Sequence, residues 1–175
     1  MKKQTLNLSM IACVNHKLAL GKDNKLLYYL PSDLKHFKML TTNNVVIMGK
    51  NTYESLPIRP LPNRINIVLT SDKTLEVEGG HVVSSIQECL DLCNNLYSTH
   101  KIYIIGGASI YAQFLHLGCV QEIVLTYVRD DTDGDVFFPN VFDDENWDIV
   151  DETLSKPDDR DEAKYSIITF NRKKC

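Results

Sequence analysis

The sequence predicts an α/β domain with a central, mostly parallel sheet that ends in an antiparallel C-terminal hairpin. Three observations carry this reading. Val45-Val46-Ile47-Met48 is a continuous apolar run, and Ile65 to Leu69 and Lys101 to Ile105 are further mostly apolar, strand-like runs, as strands buried on both faces require. Segments with helical spacing or helix-start chemistry separate them, so strands alternate with helices and helices cover both faces. The length, 175 residues, suffices for one domain with a full core and is short for two. With no repeat, low-complexity tract or linker composition, residues 1–175 read as a single domain.

Leu6 to Val14 reads as the first strand, followed by a long loop through Gly21 and Asp23-Asn24. The next stretch, Leu26 to Leu40, organises the rest. It opens with Leu26, Leu27, Tyr28 and Tyr29, and Leu30-Pro31-Ser32-Asp33 then reads as a helix start. Proline suits a first helical position, and acids favour the positive end of the aligned peptide dipoles. Leu34, Phe37 and Leu40 recur at helical spacing. Asp33 therefore projects along the edge of an apolar face, where an acid can sit in a pocket. The alternative is an acid that only favours the helix start.

Gly49 ends the Val45 strand, and Lys50 to Leu56 reads as a short helix. Pro57, Pro60 and Pro62 break the chain before the Ile65 strand, and Thr70 to Gly80 is polar and loop-like. Ser85 with Glu88 forms a capping box for a helix that runs to about Asn95. Gly106-Gly107 closes the Lys101 strand, and a helix containing Tyr111 and Phe114 follows. Val120 to Val128 is again a strand. An acidic segment, Asp130 to Asp135, leads to Phe137-Phe138-Pro139, and Trp147 to Glu152 with Tyr165 to Asn171 forms the terminal hairpin.

A formal charge of -4 argues against general affinity for nucleic acid or an anionic membrane, so any anionic ligand needs a local cluster of cations. Met1-Lys2-Lys3 and the run that follows resemble a signal peptide only superficially. The run is short, contains Asn and Ser, and lacks a cleavage site, so a buried strand is expected. No apolar run approaches transmembrane length. The cysteines, Cys13, Cys89, Cys93, Cys119 and Cys175, form no CxxC pair and read as reduced thiols of a cytoplasmic protein. Cys89 and Cys93 share a helix face without a histidine partner, and the histidines are scattered, so no metal site is expected.

In a parallel sheet, ligands bind beyond the carboxyl ends of the strands. Two such ends, Gly49-Lys50-Asn51-Thr52 and Gly106-Gly107-Ala108-Ser109, each offer glycine and a helix N-terminus with free N–H groups. A pair of them could hold the two phosphates of a dinucleotide. A third end, Leu69-Thr70-Ser71 with Lys73 nearby, would suit a further phosphate. No GxGxxG follows the first strand, so a dinucleotide would bind by another scheme. Lys38, Arg59 and Arg64 stand on the other side. Behind two prolines, Arg64 is either a bidentate carboxylate clamp or a solvated cation.

IACVNHKLALG, LPSDLKHFK, VVIMGKNTYESLPIRPLPNRINIVLTS, IYIIGGASIYAQFL and LTYVRDDTDGDVFFP resemble, in order and spacing, the successive motifs of the dihydrofolate reductase family. The resemblance runs from Leu8 to Pro139, and the tail is similar to that family's closing hairpin. It implies an eight-stranded sheet and a monomeric, cytoplasmic enzyme that reduces dihydrofolate with NADPH, binds antifolates and needs no metal.

The resemblance also implies a role for each matching position. Asp33 is the acid that grips the pterin, Thr126 its hydrogen-bonding partner, and Leu26 and Tyr28 stand beside it at the reacting centre. Ile11, Leu34, Phe37, Leu56 and Leu61 line the pterin and benzoyl pocket, and Arg64 clamps the glutamate α-carboxylate with Lys38 and Arg59 further out. Cys13, Leu20 and Gly21 lie along the nicotinamide carboxamide, with Ile105 and Tyr111 beside its ring. Gly49, Lys50, Asn51 and Thr52 form one phosphate-binding turn. Gly106, Gly107, Ala108, Ser109 and Ile110 form the other, the glycines joined by a cis peptide. Leu69, Thr70 and Ser71 meet the adenosine-phosphate end, and Gln113 borders the adenine.

Three departures stand out. Leu27-Tyr28 replaces the family's usual Pro-Trp, whose indole orders a water near the pterin. Ser109 replaces an arginine common near the 2′-phosphate. Pro57-Ile58 adds one residue before Arg59. Two other readings remain at this stage. One is a same-fold reductase of a riboflavin precursor, which the Asp33 and Arg64 motifs oppose; the other is a non-catalytic nucleotide-binding protein.

Overall fold

The computed structural model describes residues 5–156 and 158–174; Met1-Lys2-Lys3 and Cys175 lie outside the described residues. Among the described residues, eleven strands and four helices follow one another. The strands are β1 (Asn7–Asn15), β2 (Ala19–Lys22), β3 (Lys25–Leu26), β4 (Val45–Gly49), β5 (Ile65–Leu69) and β6 (His81–Val83). The rest are β7 (Lys101–Ile104), β8 (Glu122–Val128), β9 (Val136–Phe137), β10 (Trp147–Leu154) and β11 (Tyr165–Arg172). The helices are α1 (Pro31–Thr41), α2 (Lys50–Ser55), α3 (Ile86–Leu96) and α4 (Ala108–His116).

Eight strands form one sheet in the order β10-β11-β8-β1-β7-β4-β5-β6. From β8 to β6 every pairing is parallel, and β11 alone runs against its two neighbours. The apolar runs sit centrally because alternate residues must be covered on opposite faces. Val45 and Ile47 pack on one side with Cys89, Cys93, Ile110 and Phe114 of α3 and α4. Val46 and Met48 pack on the other with Tyr53, Phe37 and Leu40 of α2 and α1. Each such buried aliphatic contributes about 1.5–3 kcal/mol.

Ser85 caps α3 by accepting from the Glu88 N–H at 3.1 Å. The Glu88 carboxylate accepts from the Ser84 N–H at 2.7 Å, one residue before the position a reciprocal capping box would use. The long loop after β1 is more ordered than its sequence suggested. It carries β2 and β3, which join β9 from the acidic segment in a separate three-stranded sheet. Close approach explains the glycines there: a Cβ on Gly21 would lie 2.5 Å from the Lys25 carbonyl oxygen, and one on Gly134 2.7 Å from that of Gly21. Among the described residues no helix is long and apolar enough to cross a membrane.

Candidate active site

Two elements bring the acid and its partner together. Pro31 opens α1 and puts Asp33 in its first turn. Strand register fixes Thr126 of β8 between Cys13 of β1 and Ile167 of β11. Thr126 is buried, and its hydroxyl donates to Asp33 Oδ1 at 2.6 Å. Asp33 itself is half-buried and lines a cavity together with Cys13, Leu20, Leu26, Leu27, Tyr28, Leu30 and Leu34. Burial pushes the Asp33 carboxyl above its ordinary value, the Thr126 hydrogen bond and His36 pull it down, and Asp161 pushes it up. The neighbouring Cys13 thiol is pushed up to about 12, chiefly by burial and further by Asp33, so it stays protonated at neutral pH.

No side chain at Leu30 caps the start of α1. Instead the Ser32 N–H donates to Asp161 Oδ1 at 3.0 Å, and the Ser32 hydroxyl bonds Asp161 and Tyr165. This anchor from the C-terminal hairpin region was not read from the sequence. A free N–H at a helix start must find some acceptor, but nothing in the sequence says which.

Ile11, Phe37, Leu56, Leu61 and Ile105 belong to one apolar cluster on the Asp33 side of the sheet. Leu34 is 45% exposed and Leu26 68% exposed, so both face the open side of the cavity. Tyr111 is buried, with its hydroxyl donating to the Ile11 carbonyl at 2.7 Å. That bond ties α4 to β1.

Arg64 is half-buried. Its Nε donates to the Pro62 carbonyl at 2.9 Å and its Nη1 to Thr41 Oγ1 at 3.3 Å. Among the described residues it makes no ion pair. Arg59 is exposed; its guanidinium donates to the Glu54 carbonyl and lies 6.0 Å from the Tyr53 ring centroid. Lys38 is exposed on α1.

At the other strand ends, Gly49 and Gly107 are the N-caps of α2 and α4, and neither helix start has a side-chain cap. The Gly49 N–H donates to the Gly106 carbonyl at 2.9 Å, so the two turns abut. Gly106 has φ +129°, and a Cβ there would meet Thr52 Oγ1 at 3.3 Å. The Gly106-Gly107 peptide is cis, as the resemblance implied. Leu69, Thr70, Ser71, Ile110 and Gln113 line a second cleft, joined by Ser84, Ser85 and Ile86, which the sequence reading did not include. Ser109 accepts from Gln113 Nε2 at 2.9 Å, while Asn51 is exposed and Ala108 half-buried. Lys50 is not a free cation: its ammonium lies 2.7 Å from Asp72 and 3.7 Å from Glu54. Two uncapped helix starts and a hydroxyl-rich cleft fit a phosphorylated, ring-bearing cofactor.

A mostly parallel sheet with an acid pocket and two glycine-led helix starts at its strand ends defines the class, an α/β enzyme that takes its ligands beyond the strand ends. The family model described as dihydrofolate reductase matches residues 7–172. The chain belongs to the dihydrofolate reductase family. It is 35% identical over 166 residues to the dihydrofolate reductase of Bacillus subtilis strain 168, covering 95% of each chain. To that of Staphylococcus aureus strain Mu50 it is 32% identical, over 97% of this chain and all of the relative. A similar solved structure is dihydrofolate reductase from Enterococcus faecalis complexed with NADP(H) and RAB-propyl. It matches with TM-score 0.84 and 29% identity, over 98% of both chains.

Proposed function

We propose that the chain reduces 7,8-dihydrofolate to 5,6,7,8-tetrahydrofolate with NADPH, by hydride transfer to pterin C6 and protonation of N5, and so supplies one-carbon folate metabolism. It acts as one domain, a monomer in the cytoplasm, and antifolates compete for the same pocket. The observation that carries this reading is the Asp33–Thr126 pair, whose acid lines an apolar cavity.

When bound, NADPH supplies the hydride. Everything else falls to the side chains. Asp33 accepts from the N–H groups at pterin N3 and the 2-amino position, and Thr126 fixes the carboxylate for them. Ionised in its low-dielectric pocket, Asp33 also favours the protonated pterin, with the proton reaching N5 through water. Ile11, Phe37, Leu56 and Leu61 hold the substrate rings flat and exclude solvent, while Leu26 and Leu34 close the open side. Cys13, Leu20, Gly21, Ile105 and Tyr111 wall the nicotinamide half.

Arg64 takes the glutamate α-carboxylate, and Lys38 and Arg59 add positive field at the rim. The α2 and α4 starts, with Thr52 and Ser109, receive the pyrophosphate. Lys50, Thr70 and Ser71 take the 2′-phosphate, and Gln113 borders the adenine. The test follows one atom. With cofactor deuterated at the transferring carbon, tetrahydrofolate formed by the protein should carry the deuteron at C6. Unlabelled product, or none from folded protein, would refute the reading.

A further inference from the structure

Tyr28 stands where the family usually has tryptophan, and its hydroxyl both donates and accepts within the protein. It donates to Asp130 Oδ2 at 2.5 Å and accepts from Asn15 Nδ2 at 3.1 Å. Asn15, the last residue of β1, is completely buried, and no part of its amide is idle. Its Nδ2 also donates to the Thr132 carbonyl at 2.7 Å. Its Oδ1 accepts from the backbone N–H groups of Lys17 at 3.0 Å and Ala19 at 3.2 Å. Asp130 Oδ2 accepts in addition from the Thr132 N–H at 3.0 Å. One hydroxyl thus joins three segments distant in sequence: the end of β1 with its following loop, the cavity-lining run before α1, and the acidic loop after β8.

A phenol has a single O–H to give. Here it goes to Asp130, so it is not available to a water in the cavity. Burial and the Asp130 bond push the Tyr28 pKa up, which keeps that proton in place. Other links join the two loops as well: the His16 N–H donates to the Asp130 carbonyl at 3.1 Å, the Asp135 N–H to the Gly21 carbonyl at 3.0 Å and the Phe138 N–H to the Leu18 carbonyl at 2.8 Å, and β2 pairs with β9. Lys17–Asp133 is an exposed ion pair, which solvent and salt weaken, and His16 Nδ1 lies 3.3 Å from Asp131. Tyr28 adds a side-chain link that ties the run before α1 to both loops.

We propose that Tyr28 is a positioning residue, a latch that with Asn15 and Asp130 holds Leu20, Leu26 and Leu27 in place as the wall of the Asp33 cavity. It replaces the water-ordering role of an indole with mechanical fixation of the loop. The kinetic part of the test rests on the reaction proposed above; the structural part does not.

Exposed Lys22 and Lys25 lie within the latched loop, with Lys17 at its start, so brief trypsin treatment reads its opening directly. The comparison takes wild type, Tyr28→Phe, Asp130→Ala and the double variant in the full chain. Each single change should raise loop cleavage several-fold with little change in Tm, and the double variant should add little to either. With dihydrofolate and NADPH, Tyr28→Phe should lower kcat several-fold while KM moves less than twofold. Should Tyr28→Phe fail to fold, Asp130→Ala carries the cleavage comparison. Cleavage unchanged in a folded single variant, or fully multiplicative effects in the double, would overturn the latch. Wild-type protein that is protected from trypsin but inactive would instead count against the proposed reaction and leave the latch supported.

Discussion

Thr126 and Asp33, 93 positions apart in the chain, are joined by a 2.6 Å hydrogen bond in which the threonine donates. Because it favours the charged form, this bond restrains the rise that burial imposes on the Asp33 pKa. Thr126→Val keeps the shape and removes the donor. The Asp33 pKa should rise further, and the acid limb of substrate binding, where the carboxylate is lost, should move up with it. A hydrogen bond to a charged group contributes about 1.5–3 kcal/mol. Activity at neutral pH should therefore fall roughly ten- to a hundredfold. A pH profile of kcat/KM for the two proteins checks both statements.

The same carboxyl should weaken the fold. Its folded pKa lies above the ordinary 3.8. Its favourable contribution is therefore complete only below the unfolded value and is lost as pH rises through the folded one. At neutral pH the native state carries an ionised acid that water solvates better. Asp33→Asn should accordingly raise Tm at neutral pH, with the gain shrinking as pH falls toward 3. A thermal melt series across pH measures it.

Arg64 is held by Pro62 and Thr41 with its guanidinium free of any ion pair among the described residues. Arg64→Ala should raise the KM for dihydrofolate by roughly thirtyfold or more, on the order of 2 kcal/mol, with little change in kcat. Arg64→Lys should recover only part, since an ammonium cannot make the bidentate pair. A pterin substrate lacking the glutamate should be indifferent to both changes, and steady-state kinetics with the two substrates decides it.

Lys50 is bound to Asp72 at 2.7 Å, in the loop that also carries Thr70 and Ser71. The ammonium beside it and Thr74 hold the Asp72 carboxyl well below its ordinary range, so it stays charged throughout the physiological window. On the proposed reading, a 2′-phosphate would share Lys50 with this acid. Asp72→Asn should therefore tighten NADPH binding several-fold and leave NADH binding nearly unchanged. Titrating cofactor fluorescence with each nucleotide measures the ratio.

Much of this was legible in the sequence, for a physical reason. The central strands β4, β5, β7 and β8 are covered on both faces, so they declare themselves as apolar runs. Pro31 and Ser85 are local signals for local events. The small sheet of β2, β3 and β9 escaped because its strands have two to four residues, too few to show a period, and β6 has three. The contacts of Ser32 with Asp161, Lys50 with Asp72 and Tyr28 with Asp130 escaped for another reason. Each joins residues that only the folded chain brings together, and an exposed acid looks the same in sequence whether or not it is paired. Asn15 reads as the start of a loop, although it is buried at the junction of three segments.

If Asp33 serves a reductase that acts on dihydrofolate, its loss must change cofactor oxidation in a pH-dependent way. Loss of NADPH absorbance on adding dihydrofolate is followed for wild type and Asp33→Asn, each from acid to neutral pH. Wild type should turn over across the range. The variant should lose orders of magnitude at neutral pH and recover in part at low pH, where the substrate arrives protonated. Equal rates for the two folded proteins, or no dihydrofolate-dependent oxidation by either, would contradict the account.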